Sequence, residues 1–228
     1  MKLNLYKDKN TLYCFSPTVM LVTFIIEALL AVYIYLKHKG GIFNHLAVII
    51  IAFLAVFQLA EYSICAGTHT LFWMRIGLIA ITFLPPLGIH MISIITKRRF
   101  YLGIGYFLMI LFVIIFSFLP ASIGKPICGG NYIIFDSHPT LMSLYGIYYS
   151  GFILLALYEG ITYLRVQKNK VLTWILIGYL SFLIPMGLVY LALPQTRIAV
   201  PSIMCGFAII FALILALIVV PENIKKKK

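Results

Sequence analysis

Seven polar or ionisable residues interrupt otherwise apolar stretches of this sequence. Glu27 sits near the middle of the first stretch, Gln58 and Glu61 lie one turn apart near the end of the second, and Arg75 follows Trp73 at the start of the third. His45 opens the second stretch, His90 lies in the later half of the third, and Glu159 falls just over a turn before the end of the fifth. A charged side chain in the middle of a bilayer costs at least about 2.5–3.5 kcal/mol on insertion scales, so each one calls for a partner or a function. Glu27, Gln58, Glu61 and Arg75, with Trp73 beside the arginine, form a candidate polar ligand pocket. Antiparallel neighbours would bring Glu61 and Arg75 to one depth, where they could pair as ions. The plainer alternative is that this pair only fixes helix register, with Glu27 carried uncharged or bonded to a neighbouring helix. His45 and His90 on facing helices could ligate haem, but histidine is also a common hydrogen-bonding partner between membrane helices. That use is preferred, and no cofactor or metal is assigned. Glu159 has a nearby base in Arg165.

These residues must be held by membrane-spanning elements. Of the 228 residues 63% are hydrophobic and 11% charged, against about half and about a quarter in a soluble domain. Runs of roughly 20 apolar residues cross a bilayer as helices. Seven are read, at 17–36, 43–63, 71–95, 100–119, 141–164, 171–193 and 198–220. The stretch 106–119 is apolar on every face, whereas a β-barrel strand alternates with period two. The first run, with Glu27 inside it and no small-residue cleavage site, reads as a true span rather than a signal peptide. The expected fold is therefore all-α, an integral membrane bundle of seven transmembrane helices. Residues 1–16 form an N-terminal arm, 17–220 the transmembrane domain and 221–228 a basic tail.

The formal net charge is +12, and its distribution orients the bundle. Lys37, Lys39, Lys97, Arg98, Arg99, Arg165, Lys168, Lys170 and Lys225–Lys228 all fall on one side and make up 12 of the 18 basic residues. Positive charge flanking spans is retained in the cytoplasm, which places the C-terminus inside and the N-terminus outside. Lys2, Lys7 and Lys9 in the arm, with Lys125, Arg197 and Arg75 at a helix start, are the minority on the other side. Charges that flank apolar spans suit anionic headgroups and give no nucleic-acid surface. The expected partners are the lipid bilayer, a small ligand and a cytoplasmic or membrane signalling protein, with no oligomeric state assigned. The location is the cell membrane.

Pro85 and Pro86 should break or kink the third span, and Pro185 the sixth, because proline removes a backbone donor and clashes one turn back. Ala208, Ala212 and Ala216 make a small-residue stripe in the last span, suited to close helix packing. On the outer side Cys14, Cys65 and Cys128 allow one disulfide with one cysteine left over. Cys65–Cys128 is the favoured pairing because it would join the two outer loops, with free thiols as the alternative. Gly129–Gly130 followed by Tyr132–Phe135 suggests a turn and short strand lying over the bundle.

The segments Phe57-Gln58-Leu59-Ala60-Glu61, Leu71-Phe72-Trp73-Met74-Arg75-Ile76-Gly77 and Leu84-Pro85-Pro86-Leu87 resemble the seven-helix sensor region at the N-terminus of certain bacterial and archaeal histidine kinases. Trp73, Arg75 and Pro86 carry the likeness, which is confined to about 57–95. The resemblance implies a sensory bundle. With no output domain after Pro221, the signal would pass to a separate protein. The functional expectation is thus a receptor-like or sensory protein that binds a small ligand in the outer half. A small-solute transporter or channel is one alternative and a ligand-free membrane scaffold another. The small sugar-transporter family matches in size only, since the paired Pro-Gln motif is reduced to Pro194-Gln195. A retinal protein would need a lysine within 198–220, and there is none. No HExxH, GxSxG or serine–lysine arrangement occurs in the spans, so an enzyme is not expected.

Overall fold

The computed structural model describes residues 16–38, 40–98, 101–119, 123–124, 126–128, 133–134, 138–193 and 199–225. The arm with Cys14, together with Lys39, Arg99, Lys125, Gly129, Gly130, Tyr132, Phe135, Arg197 and Lys226–Lys228, lies outside the described residues. Seven long helices are present among those described: α1 (Pro17–Lys37), α2 (Ile42–Cys65), α3 (Thr70–Thr96), α4 (Leu102–Phe118), α5 (Pro139–Val166), α6 (Lys170–Ala192) and α7 (Val200–Lys225). Six of them are long and apolar enough to cross a membrane, and α4, with 17 residues, is shorter and equally apolar. The fold is all-α and the chain is a multi-pass membrane protein.

The helix faces explain why. On α1 only Met20, Thr23, Glu27, Ala31 and Ile34 are buried, at steps of three and four residues, which is one stripe of a 3.6-residue helix. Leu29 on α1, Phe107 on α4, Ile147 and Leu154 on α5 and Leu188 on α6 stay more than half exposed. An apolar surface on that scale is stable against lipid and not against water. The expected small-residue stripe faces inward, with Ala208, Ala212 and Ala216 all buried.

α4 runs back along α3 for most of its length. Near one end the His90 imidazole lies 2.7 Å from the Tyr106 hydroxyl, and near the other an Arg75 Nη1–H donates to the Ser117 carbonyl at 2.7 Å. The Cys65–Cys128 disulfide forms, with 5.3 Å between the Cα atoms. It ties the end of α2 to β1 (Ile127–Cys128), which pairs antiparallel with β2 (Ile133–Ile134), Cys128 opposite Ile133. The strand expected after the glycines is therefore half of a two-stranded ribbon pinned to the bundle.

The prolines do not end their helices. α3 is continuous from Thr70 to Thr96 through Pro85 and Pro86, and α6 from Lys170 to Ala192 through Pro185. In α3 the consequence is specific. The Thr82 carbonyl would normally accept from residue 86, or in a tighter turn from residue 85, and neither proline has an N–H. The Tyr148 hydroxyl of α5 donates to that carbonyl at 2.8 Å instead. Thr82 Oγ1 lies 2.6 Å from the Leu78 carbonyl and 3.2 Å from the Tyr145 hydroxyl, so the proline pair is where α5 docks. Phe112, Phe116 and Phe152 pack their rings around these two tyrosines. The last helix outruns the expected end at residue 220. It widens into one π turn at Leu215–Val219 just before Pro221 and continues to Lys225.

Candidate functional site

Three helices and the ribbon build a polar cluster near the disulfide end of the bundle. Gln58 and Glu61 are three residues apart on α2, hence on one face, and both are almost fully buried, at 2% and 1% exposure. Glu27 of α1 has no exposed surface at all. Helix side chains lean towards their own N-terminus. α1 and α2 run antiparallel, so Glu27 leans towards the disulfide end and Glu61 leans back towards Glu27. The two carboxylates come close enough to interact electrostatically, and both also act on Cys205 of α7. Ser202, one turn before Cys205 and equally buried, hydrogen-bonds the Glu61 side chain. Ser202 Oγ in turn accepts the Ile133 backbone N–H at 3.2 Å. Ile133 is fully buried and sits directly across from Cys128. A continuous link therefore runs from the pinned ribbon through Ser202 to a buried carboxylate.

The electrostatics of this cluster are one-sided. The ion pairs among the described residues are Arg98–Glu159 and Lys225–Glu222, at 3.2 and 3.4 Å, and neither reaches it. Both carboxylate oxygens of Glu27, Oε1 of Glu61 and Nε2 of Gln58 have no hydrogen-bond partner among the described residues. Buried polar groups in folded proteins are almost always bonded, so four such atoms on Glu27, Gln58 and Glu61 make this the candidate site. Glu27 and Glu61 bring oxygens that can accept, and Gln58 Nε2 brings a donor. Among the described residues no base pairs with these carboxylate oxygens.

Glu27, Gln58 and Glu61 are brought together, and Arg75 and Trp73 are not. Arg75 bonds the Ser117 carbonyl of α4 rather than Glu61. The reason is azimuth. α3 meets α2 through Gly77, where an added Cβ would stand 3.3 Å from that of Ala60. Arg75 is two residues from Gly77, about 200° around the helix, and so points away from α2. Trp73 is half-buried and stacks edge-on with Phe72. The two histidines do not pair either: His90 meets Tyr106, while His45 is exposed at the start of α2. Glu159 bonds Arg98 rather than Arg165. Ser202 and Ile133 were not legible as site residues, since a lone serine and a loop isoleucine carry no pattern of their own.

A separate void of about 40 Å³ lies between α2, α3, α5, α6 and α7, lined by Leu54, Pro85, Tyr179, Cys205 and Phe211 among others. At about 10–15 Å³ per water it holds a few waters and no drug-sized ligand. No protein-family model matches the chain, and no curated protein matches its sequence. What stands is a multi-helix, membrane-spanning bundle of the general architecture that transmembrane sensors use, compatible with receptor, sensor or transporter roles.

Proposed function

We propose that the protein is a non-enzymatic, receptor-like or sensory membrane protein that takes a small ligand beneath the ribbon and passes the change to a partner on the opposite face. The observation that carries this reading is the link Ile133–Ser202–Glu61, which couples a disulfide-pinned external element to the bundle interior. The ligand is amphipathic and bears a donor or cationic group, since the cluster offers carboxylate oxygens in an apolar surround. α4 is the seventh crossing, because its contacts with α3 extend from His90 to Arg75. The disulfide end is outside and the N-terminus with it. In support, Lys37, Lys97, Arg98, Arg165, Lys168, Lys170 and Lys225 stand at the other end, where the positive-inside rule puts the cytoplasm. Native mass spectrometry of the full chain from mild detergent tests the reading. A stoichiometric small molecule whose retention drops in Glu61→Gln, or a bound partner protein, supports it. A bare chain in every preparation contradicts it.

A second reading, a small-solute transporter or channel, draws on the central void beside Pro85 and Cys205. It predicts solute flux in proteoliposomes that Cys205→Trp abolishes, and the sensory reading predicts no flux.

A further inference from the structure

We propose that Glu27 and Glu61 form a proton-binding site inside the bundle, in which Glu27 keeps its proton and Glu61 exchanges one. The site lies in the cluster that the sensory reading also uses, but it rests on the geometry of that cluster alone, since the proton is held with no other ligand present.

Nothing larger than a proton fits against these atoms. Glu27 is 0% exposed and Glu61 1%. Both oxygens of Glu27, Oε1 of Glu61 and Nε2 of Gln58 have no hydrogen-bond partner among the described residues and essentially no accessible surface, so they border neither solvent nor a void. A water needs roughly 10–15 Å³ of open space. The central void is lined by Cys205 but by none of these side chains. Among the described residues no group of three His, Cys, Asp or Glu is placed to hold a metal ion. A proton needs no cavity.

The charges call for one. An isolated ionised carboxylate in apolar surroundings is so costly that the group takes up a proton instead. The neighbours facing the pair supply no cation. Gln58 of α2 brings a donor that is not a base, and α7 brings Ser202 and Cys205. Arg75 of α3 is turned to the Ser117 carbonyl, and Cys128 of the ribbon is held in its disulfide. The two carboxylates also act on each other, and like charges sharing a site are not both carried.

The two members differ in what supports a charge. Neither oxygen of Glu27 is bonded, so nothing there stabilises the ionised form. Glu61 lies one turn from Cys65 at the disulfide end and is bonded by the Ser202 side chain. Ser202 Oγ takes the Ile133 N–H at 3.2 Å, which leaves its own hydrogen for Glu61. A hydrogen bond given to an ionised carboxylate favours that form, and two carboxyl groups in unlike surroundings take unlike roles. Glu61 is therefore the member that exchanges, and Ser202 carries its change of charge to the ribbon.

Infrared spectroscopy of the full chain in an ester-free detergent, with no ligand added, reads the carbonyl stretch of a protonated carboxyl directly. The chain has 6 acidic side chains, and Glu159 and Glu222 are paired with bases, so the band is assignable. The expected result at neutral pH is a protonated-carboxyl band that shifts when the glutamate carboxyls of the native protein are isotope-labelled. Part of it should disappear as the pH is raised from mildly acidic to mildly alkaline, and Glu61→Gln should lack that part throughout. The remainder should be lost in Glu27→Gln. The labelled native protein gives the result even where a variant fails to fold. No band at neutral pH, or one that labelling leaves in place, would overturn the site. A band of constant size across the pH range would overturn the exchange assigned to Glu61. The two readings fail separately: a chain bare in mass spectrometry that shows the band loses the small ligand and keeps the proton site, and a chain that retains a small molecule without the band does the reverse.

Discussion

The substitution Tyr148→Phe separates a structural role for the Pro85–Pro86 pair from a merely tolerated one. It deletes the hydroxyl that donates to the Thr82 carbonyl at 2.8 Å and keeps the ring against Phe112 and Phe152. Side-chain hydrogen bonds between membrane helices average about 0.6 kcal/mol, with a maximum near 1.7. This one should fall in the upper part of that range. Neither Pro85 nor Pro86 can donate to Thr82, and a buried acceptor left unbonded costs about 1–3 kcal/mol. We expect a loss of about 1–1.5 kcal/mol on that basis. In a Pro86→Ala background the new N–H at residue 86 supplies the missing donor, and Tyr148→Phe should then cost less than about 0.5 kcal/mol. The assay is a double-mutant cycle by reversible unfolding in mixed micelles. A coupling near 1 kcal/mol is the predicted result. Equal costs of Tyr148→Phe in both backgrounds would refute the argument that the tyrosine replaces the proline's missing bond.

Other perturbations read other parts of the account. Replacing Cys65 and Cys128 with serine opens a 63-residue loop, worth up to about 4 kcal/mol by chain entropy in a free chain. The loss should be smaller here, since the helices remain in the bilayer, and it should appear as a lower thermal midpoint that a reductant reproduces in the native protein. Glu27→Met should leave stability unchanged or raise it by about 1 kcal/mol, because an unpaired buried carboxyl is replaced by a packed apolar group of similar size. A lower melting temperature would show that Glu27 has a structural partner. Arg75→Ala should cost about 1.5–3 kcal/mol through its bond to Ser117 and should add independently to Glu61→Ala in thermal unfolding, whereas coupling between the two would restore an Arg75–Glu61 ion pair.

Depth and order were legible in the sequence, and azimuth was not. The ends of the first six spans fall within two residues of those expected, because the length of an apolar run is set by the thickness it must cross. The last helix ran five residues past its expected end, since a π turn at Leu215–Val219 carries the helix through Pro221. The Cys65–Cys128 pairing followed from loop positions alone. Arg75 was placed at a sensible depth and given the wrong partner, because its direction depends on Gly77 meeting Ala60, a packing fact with no local signal. The same holds for Tyr148 and Thr82, 66 residues apart, and for Ser202, whose importance comes from the ribbon that reaches it. Within the candidate site the acidic members could be read because charge is costly in lipid, and the hydroxyl and backbone groups that join them to the surface could not.

The coupling of the ribbon to the rest of the bundle is tested most directly by hydrogen exchange on Ser202→Ala, with the Cys65–Cys128 disulfide intact. The substitution removes the hydroxyl that bonds both Ile133 and Glu61. The account predicts faster exchange in the ribbon and, with it, an altered exchange rate at the opposite ends of α2, α3 and α7, around Asn44, Lys97 and Glu222. A change confined to the ribbon and the first turn of α7 would contradict it, and would reduce the Ile133–Ser202–Glu61 link to local packing.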